Sequence, residues 1–185
     1  MIQGYLISSP LGDMALRAED DVLTGVFFVG QKHYPALTLT PDDHAVPRVI
    51  RQAQEQLIEF FNGERREFNV PLRPRGTAFQ EQVWRELARI PYGEVVSYGA
   101  MARNMGLSPG HSRAVGMANG RNPICILLPC HRVIGSSGGL TGYAGGMERK
   151  LALLKLENAV GVPELALRST AAAQPIADKS APTGR

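Results

Sequence analysis

Through the first thirty residues apolar and polar positions alternate with the period of a half-buried strand, in the runs "IQGYLIS", "DMALRA" and "VLTGVFFV". Turn chemistries, "SPLG" and "AEDD", separate them. The pattern predicts a small antiparallel sheet. The period then lengthens: Val49, Ala53, Leu57 and Phe60 recur at helical spacing over residues 47–61, and Asn62-Gly63 stops the helix. A charged stretch, "ERREF", and the proline-bearing "VPLRPRG" follow, placing a linker near residues 70–76. Two lobes are expected, residues 1–73 and 74–162.

The second lobe opens with a capping box, Thr77 and Gln80, in which each side chain satisfies the other residue's orphan backbone N–H. Phe79, Val83, Leu87 and Ile90 continue as the apolar stripe of that helix. "PYGEVVSYGAMARNMG" reads as a turn, a short strand, and a helix capped by Ser97 and ended by Gly106. "LSPGHSRAVGMANG" starts another helix, with Ser108 as N-cap and Pro109 at the first position. Two short helices across a tight turn form a helix-turn-helix candidate, although such pairs also occur as plain packing units. Ala114, Gly116, Ala118 and Gly120 make the second helix slim, at a propensity cost of ~1 kcal/mol per glycine. Such a helix can approach a neighbouring backbone, or enter a DNA minor groove only ~6 Å wide.

An aliphatic run, "ICILLP", suits a buried strand and ends in Cys130, His131 and Arg132. "GSSGGLTGYAGGMERK" comes next, either a flexible loop or a tight wall with Tyr143 available for stacking. It lacks the G-x-x-x-x-G-K-[ST] of a nucleotide-binding loop. A last helix carries Met147, Leu151, Leu154 and Leu156, with Glu157 near its end. Residues 163–185, small, polar and proline-dotted, are expected to be disordered. The fold class is α/β of the α+β kind: a small antiparallel sheet with a helix, then a mainly helical lobe.

Composition narrows the function. A hydrophobic fraction of 44% and a charged fraction of 20% fit a globular protein. With no signal-peptide pattern and no apolar run long enough to span a bilayer, a cytoplasmic protein without membrane association is expected. Cys125 and Cys130 would lie about 16 Å apart on an extended segment, too far for a disulfide. Spacings for a structural metal are missing as well, so no metal is expected. The net charge of +3 is mild, but its distribution is uneven. Arg103, Arg113, Arg121 and Arg132 fall in a stretch, residues 100–146, without one carboxylate. That is an electrostatic footprint for a polyanion.

A cysteine is a nucleophile only as thiolate, so Cys130 needs a base. His131 is adjacent, yet neighbours on a regular strand face opposite ways, and a contact would require a bend or a bridging water. Glu157 is the carboxylate that could orient His131. The dipeptide alone leaves a buried structural cysteine fully open. A cysteine hydrolase or acyltransferase, a DNA-lesion binder without chemistry, and a helix-turn-helix regulator are the competing functions.

"LLPCHRVIG" resembles the active-site signature of the O6-alkylguanine-DNA alkyltransferases, the methylated-DNA–protein-cysteine S-methyltransferases. "GTAFQEQVWREL", "IPYGEVVSYGAMA", "SRAVGMANGRNP" and "LTGYAGGMERK" resemble further blocks of that family, in the same order. The resemblance implies a DNA-repair protein that flips an alkylated guanine out of duplex DNA and takes the alkyl group, once, onto Cys130. It implies that His131 removes the thiol proton through a water, that Glu157 polarises His131, and that Asn122 braces the turn before the active-site strand. Tyr98 would donate to the leaving base. Arg113 would fill the vacated stack, with Ser112, Ala114 and Gly116 against the minor groove. Tyr143, Gly142, Ala144, Gly145 and Cys125 would wall the base pocket, with backbone groups at Cys130 and Val133 reading the guanine edge. No cofactor is implied. The partners are double-stranded DNA and alkylated guanine, bound by a monomer, with cooperative binding along DNA left open. Two departures stand out: Ala144 replaces a serine of some members, and Cys125 a proline.

Overall fold

The alternating runs form strands β1 (Ile2–Ile7), β2 (Met14–Glu19) and β3 (Val22–Phe28) in the computed structural model, which describes residues 2–40, 45–140 and 142–162. The stretch 163–185 lies outside the described residues. The three strands pair antiparallel, with Leu16 between Tyr5 and Val26. A fourth strand, β4 (Leu37–Thr40), joins β1 in parallel and gives the order β3-β2-β1-β4. It had no legible pattern, because Leu39 is exposed and Leu37 only half-buried. Helix α1 (Arg48–Phe61) packs on β2 and β3 through Val49, Ile50, Ala53, Leu57 and Phe60. Each of the larger side chains, Val49, Ile50, Leu57 and Phe60, contributes about 1.5–3 kcal/mol when fully buried.

Helix α2 (Ala78–Leu87) begins with the expected capping box: Gln80 N–H donates to Thr77 Oγ1 at 3.1 Å, and Thr77 N–H to Gln80 Oε1 at 3.0 Å. The short strand β5 (Val96–Ser97) leads into α3 (Tyr98–Asn104), where Ser97 Oγ accepts the Ala100 N–H at 3.0 Å. Ser108 does not cap the next helix. Its hydroxyl bonds His111 Nδ1 at 3.0 Å, residues Pro109–His111 form a 3-10 turn, and α4 proper is Ser112–Gly120. Helices α3 and α4 pack across that turn, and Trp84 Nε1 of α2 donates to Ala118 O of α4 at 2.9 Å. Helix α5 (Met147–Leu156) buries Leu151, Leu153 and Leu154. Met147 is 55% exposed rather than in the stripe, since it lies a turn before the cluster of Leu151 and Leu154 with Ile134 and Leu140.

The two lobes share one apolar core, running from Leu16 and Phe28 through Trp84 and Val115 to Cys130. The outer edge of β3 joins them. Leu23 exchanges backbone hydrogen bonds with the linker at Pro71 and Arg73, and Val26 with Pro123 and Cys125. Among the described residues, no helix is long and apolar enough to cross a membrane.

Candidate active site

The aliphatic run before Cys130 is not the core strand its composition suggested. After two backbone bonds to Val26 the chain turns back on itself, with Ile126 left-handed at φ 70°. Asn122 explains the turn. Its Oδ1 accepts the Ile124 N–H at 3.0 Å, and its Nδ2 donates to Leu128 O at 2.8 Å, so one amide closes the segment. A β-branched residue at positive φ is strained, and the surrounding hydrogen bonds hold it there. Cys130–Arg132 then form a 3-10 turn, with Cys130 N–H on Leu128 O at 2.8 Å. Asn119 of α4 donates through Nδ2 to Cys130 O at 3.3 Å. Strand β6 (Val133–Ile134) follows at once and pairs in parallel with β5, so Tyr98, next after β5, is carried to the cysteine.

In the turn His131 and Arg132 both reach Glu157, the C-cap of α5. His131 Nε2 lies 2.7 Å from Glu157 Oε1. Arg132 donates to both carboxylate oxygens at 2.8 to 3.2 Å, and through Nη1 to Ile90 O at 2.6 Å. Arg132 therefore leaves the positive surface expected of it: it is 6% exposed and its charge is neutralised internally. Burial alone would raise the Glu157 pKa, but the bonds from His131 and Arg132 hold it at about 2. An ionised carboxylate only accepts, so Nε2 carries the His131 proton. Burial holds His131 below its ordinary pKa, against the pull of Glu157. Its Nδ1 is thus a buried lone pair with no hydrogen-bond partner among the described residues.

Burial pushes the Cys130 thiol up, opposed by Asn122 and by the positive charge of Lys150. Lys150 is wholly buried, donates from Nζ to Val133 O at 2.5 Å, and lies 5.9 Å from the centre of the Tyr98 ring. Burial lowers its pKa to about 8, so it is a cation at neutral pH. Tyr98 is driven to about 12 by burial and by Cys130, and keeps its proton. The site pairs a protonated phenol and a buried ammonium with a thiol that a neutral imidazole adjoins.

Above lies a cleft of about 600 Å³ lined by Tyr98, Ser112, Arg113, Gly116, Gly142, Tyr143 and Ala144 of the expected residues. Gly142, at φ 81°, passes against Tyr98: a Cβ there would sit 2.9 Å from its hydroxyl. Cys125, Asn122, Val133 and Gly145 are buried outside the lining, and Ala114 is exposed away from it. Both cysteines are free. The sequence pattern singles out neither Lys32, His33 and Met117 at the cleft, where Arg121 of the carboxylate-free stretch also lies, nor Asn119 and Lys150, which bond Cys130 O and Val133 O. Lys150 carried a signal, a lysine on the apolar side of the last helix beside Leu151 and Leu154. The Lys32 segment carried none, because only the sheet brings it there, with Lys32 N–H on Ala144 O at 3.1 Å.

Two family descriptions match: "6-O-methylguanine DNA methyltransferase, ribonuclease-like domain" over residues 2–74, and the DNA binding domain of the same family over residues 78–159. A methylated-DNA–protein-cysteine methyltransferase of Mycolicibacterium paratuberculosis is 50% identical over 157 residues, covering 85% of this chain and 93% of its own. One from Methanosarcina acetivorans is 47% identical over 82% of this chain and 96% of its own. The crystal structure of Mycobacterium tuberculosis OGT in complex with DNA superimposes with a TM-score of 0.77 at 46% identity, over 90% of this chain and 99% of that one.

Proposed function

The chain belongs to the 6-O-methylguanine DNA methyltransferase family, DNA-repair proteins that transfer alkyl groups, and we propose that its acceptor is Cys130. The observation that carries this reading is the thiol's position. It is buried behind the cleft lining, within electrostatic reach of the lining residues Tyr98 and Tyr143, in a turn that joins it to a neutral imidazole whose Nδ1 has no hydrogen-bond partner among the described residues.

A guanine alkylated at O6 leaves the duplex at a cost of a few kcal/mol and enters the cleft between Tyr98 and Tyr143. The Cys130 proton passes through a water to His131 Nδ1, and Glu157 stabilises the imidazolium that results. Lys150 lowers the cost of the thiolate formed. A sulfur lone pair bonds the alkyl carbon while the carbon–O6 bond breaks, its electron pair going to guanine. Tyr98, protonated at neutral pH, donates to the departing base. The products are an unmodified guanine and a thioether, from which no thiol returns, so each molecule acts once.

The DNA approaches α4 by its minor groove: Ser112, Gly116 and Gly120 keep the helix slim at the cleft, and exposed Arg113 enters the space the base vacates. Ala114, exposed on α4 outside the cleft lining, meets the DNA beside it. Asn122 braces the acceptor turn, while Cys125, Val133 and Gly145 shape the pocket from behind. The protein works as a cytoplasmic monomer, residues 1–73 serving as scaffold and 74–162 as the DNA-binding and transfer unit.

Incubation with an oligonucleotide containing O6-methylguanine is expected to add the mass of one CH2 unit to the peptide bearing Cys130, and none in Cys130→Ala. Transfer that persists in Cys130→Ala, or repeated turnover on excess DNA, would overturn the assignment.

A further inference from the structure

The pocket wall Gly142–Gly146 is a glycine-rich turn closed on itself by the Gly146 N–H bond to Tyr143 O at 3.0 Å. Gly142 and Gly146 have φ values of 81° and 93°, and the buried Tyr143 hydroxyl has no hydrogen-bond partner among the described residues. Tyr143 is fixed by packing instead. A Cβ at Gly145 would lie 2.7 Å from Tyr143 Cε1 and 3.1 Å from Phe28 Cδ2, so the glycine is held between the pocket tyrosine and the end of β3.

One side chain spans this contact. Arg149, in the first turn of α5, donates from Nη1 to Gly145 O at 3.1 Å and from Nε to Leu11 O at 2.9 Å, in the turn between β1 and β2. Its guanidinium carbon lies 4.5 Å from the centre of the Phe28 ring. A further tie to the N-terminal lobe, Lys32 N–H on Ala144 O, is backbone only. A planar fork that hydrogen-bonds two carbonyls while stacking on a ring has no substitute in lysine, whose charge is a point.

We propose that Arg149 is a positioning residue that ties the wall of the base pocket to the N-terminal sheet and so limits the size of the alkyl group the pocket accepts. The inference rests on the function proposed above. It makes the N-terminal lobe part of the specificity of the transfer, although that lobe holds none of the reacting groups. Burial holds the Tyr143 hydroxyl well above its ordinary pKa, and charge on Cys125 or Cys130 would raise it further, so the wall adjoins both thiols. Ala144 has already trimmed the wall by a hydroxyl relative to the serine of some family members, so what remains to exclude bulk is where the backbone sits.

The test compares transfer from two free bases, O6-methylguanine and O6-benzylguanine, to the full chain and to Arg149→Met and Arg149→Lys, with melting temperatures alongside. The benzyl-to-methyl rate ratio is expected to rise about tenfold in Arg149→Met, the lower end of what one methylene of pocket fit decides. In Arg149→Lys, which keeps a donor for one carbonyl, it rises less. If the methionine variant does not fold, the lysine variant carries the comparison. A ratio unchanged from wild type, whether both rates stay intact or both fall alike, overturns the proposal and leaves Arg149 a merely structural tie. Wild-type protein that takes up neither group, and no methyl from an O6-methylguanine oligonucleotide either, overturns the transfer reading itself.

Discussion

Glu157→Gln removes one negative charge and keeps the side-chain shape, which makes it the sharpest test of the buried network. The carboxylate, with 0% side-chain exposure, accepts from His131 at 2.7 Å, from Arg132 at 2.8 to 3.2 Å, and from Gly93 N–H at 3.2 Å. Glutamine leaves the Arg132 cation buried without a counter-charge, at a cost of about 3–5 kcal/mol. For a chain of this length each kcal/mol corresponds to ~2–4 °C, so melting should fall by roughly 6–20 °C at neutral pH. The sign of the pH dependence follows from the depressed pKa. Glu157 is held at about 2, against ~4.3 in an unfolded chain. Its contribution is therefore fully present above the unfolded value and is lost as pH falls through the folded one. The wild-type and variant melting temperatures should converge across that window. Transfer measured in a single turnover should also slow by about 10²-fold or more, because His131 loses the acceptor that fixes its tautomer. Melting curves offset by a constant amount down to acid pH would refute the buried-charge account. An unchanged transfer rate would refute the role of Glu157 in the chemistry.

Two further predictions concern the cation beneath the pocket and the one at its mouth. Lys150→Met should move the pH profile of Cys130 alkylation to higher pH, with reactivity at neutral pH falling about tenfold for each unit the thiol rises; superimposable profiles would remove Lys150 from the activation. Arg113→Ala should lose most transfer from duplex DNA while sparing transfer from the free base, and equal losses on both substrates would contradict its place in the vacated stack.

Local chemistry was legible wherever it is decided within a few residues. The capping box at Thr77, the Ser97 cap and the Gly106 stop need only their own turn of chain, and the structure has each of them. The ordered blocks around "LLPCHRVIG" likewise identified the family. Ser108 was misread because a competing partner, His111, lies in a 3-10 turn that composition does not mark. The aliphatic run before Cys130 was misread for a similar reason. Ile124, Ile126, Leu127 and Leu128 favour a strand, and the Asn122 amide overrides them.

The burial pattern and the motifs along the chain thus determined three strands of the sheet, the capped helices and the chemical types brought to the site. Which groups meet was decided only by the tertiary structure. Parallel pairing of β5 with β6 brings Tyr98 to Cys130, the end of α5 brings Glu157 under His131 and Arg132, and β3 pins the acceptor turn through Val26. Arg132 looks in sequence like another surface cation, and Lys150 like one more charge on a helix. Their burial, and with it their electrostatic effect, exists only once residues far apart in the chain have excluded water around them.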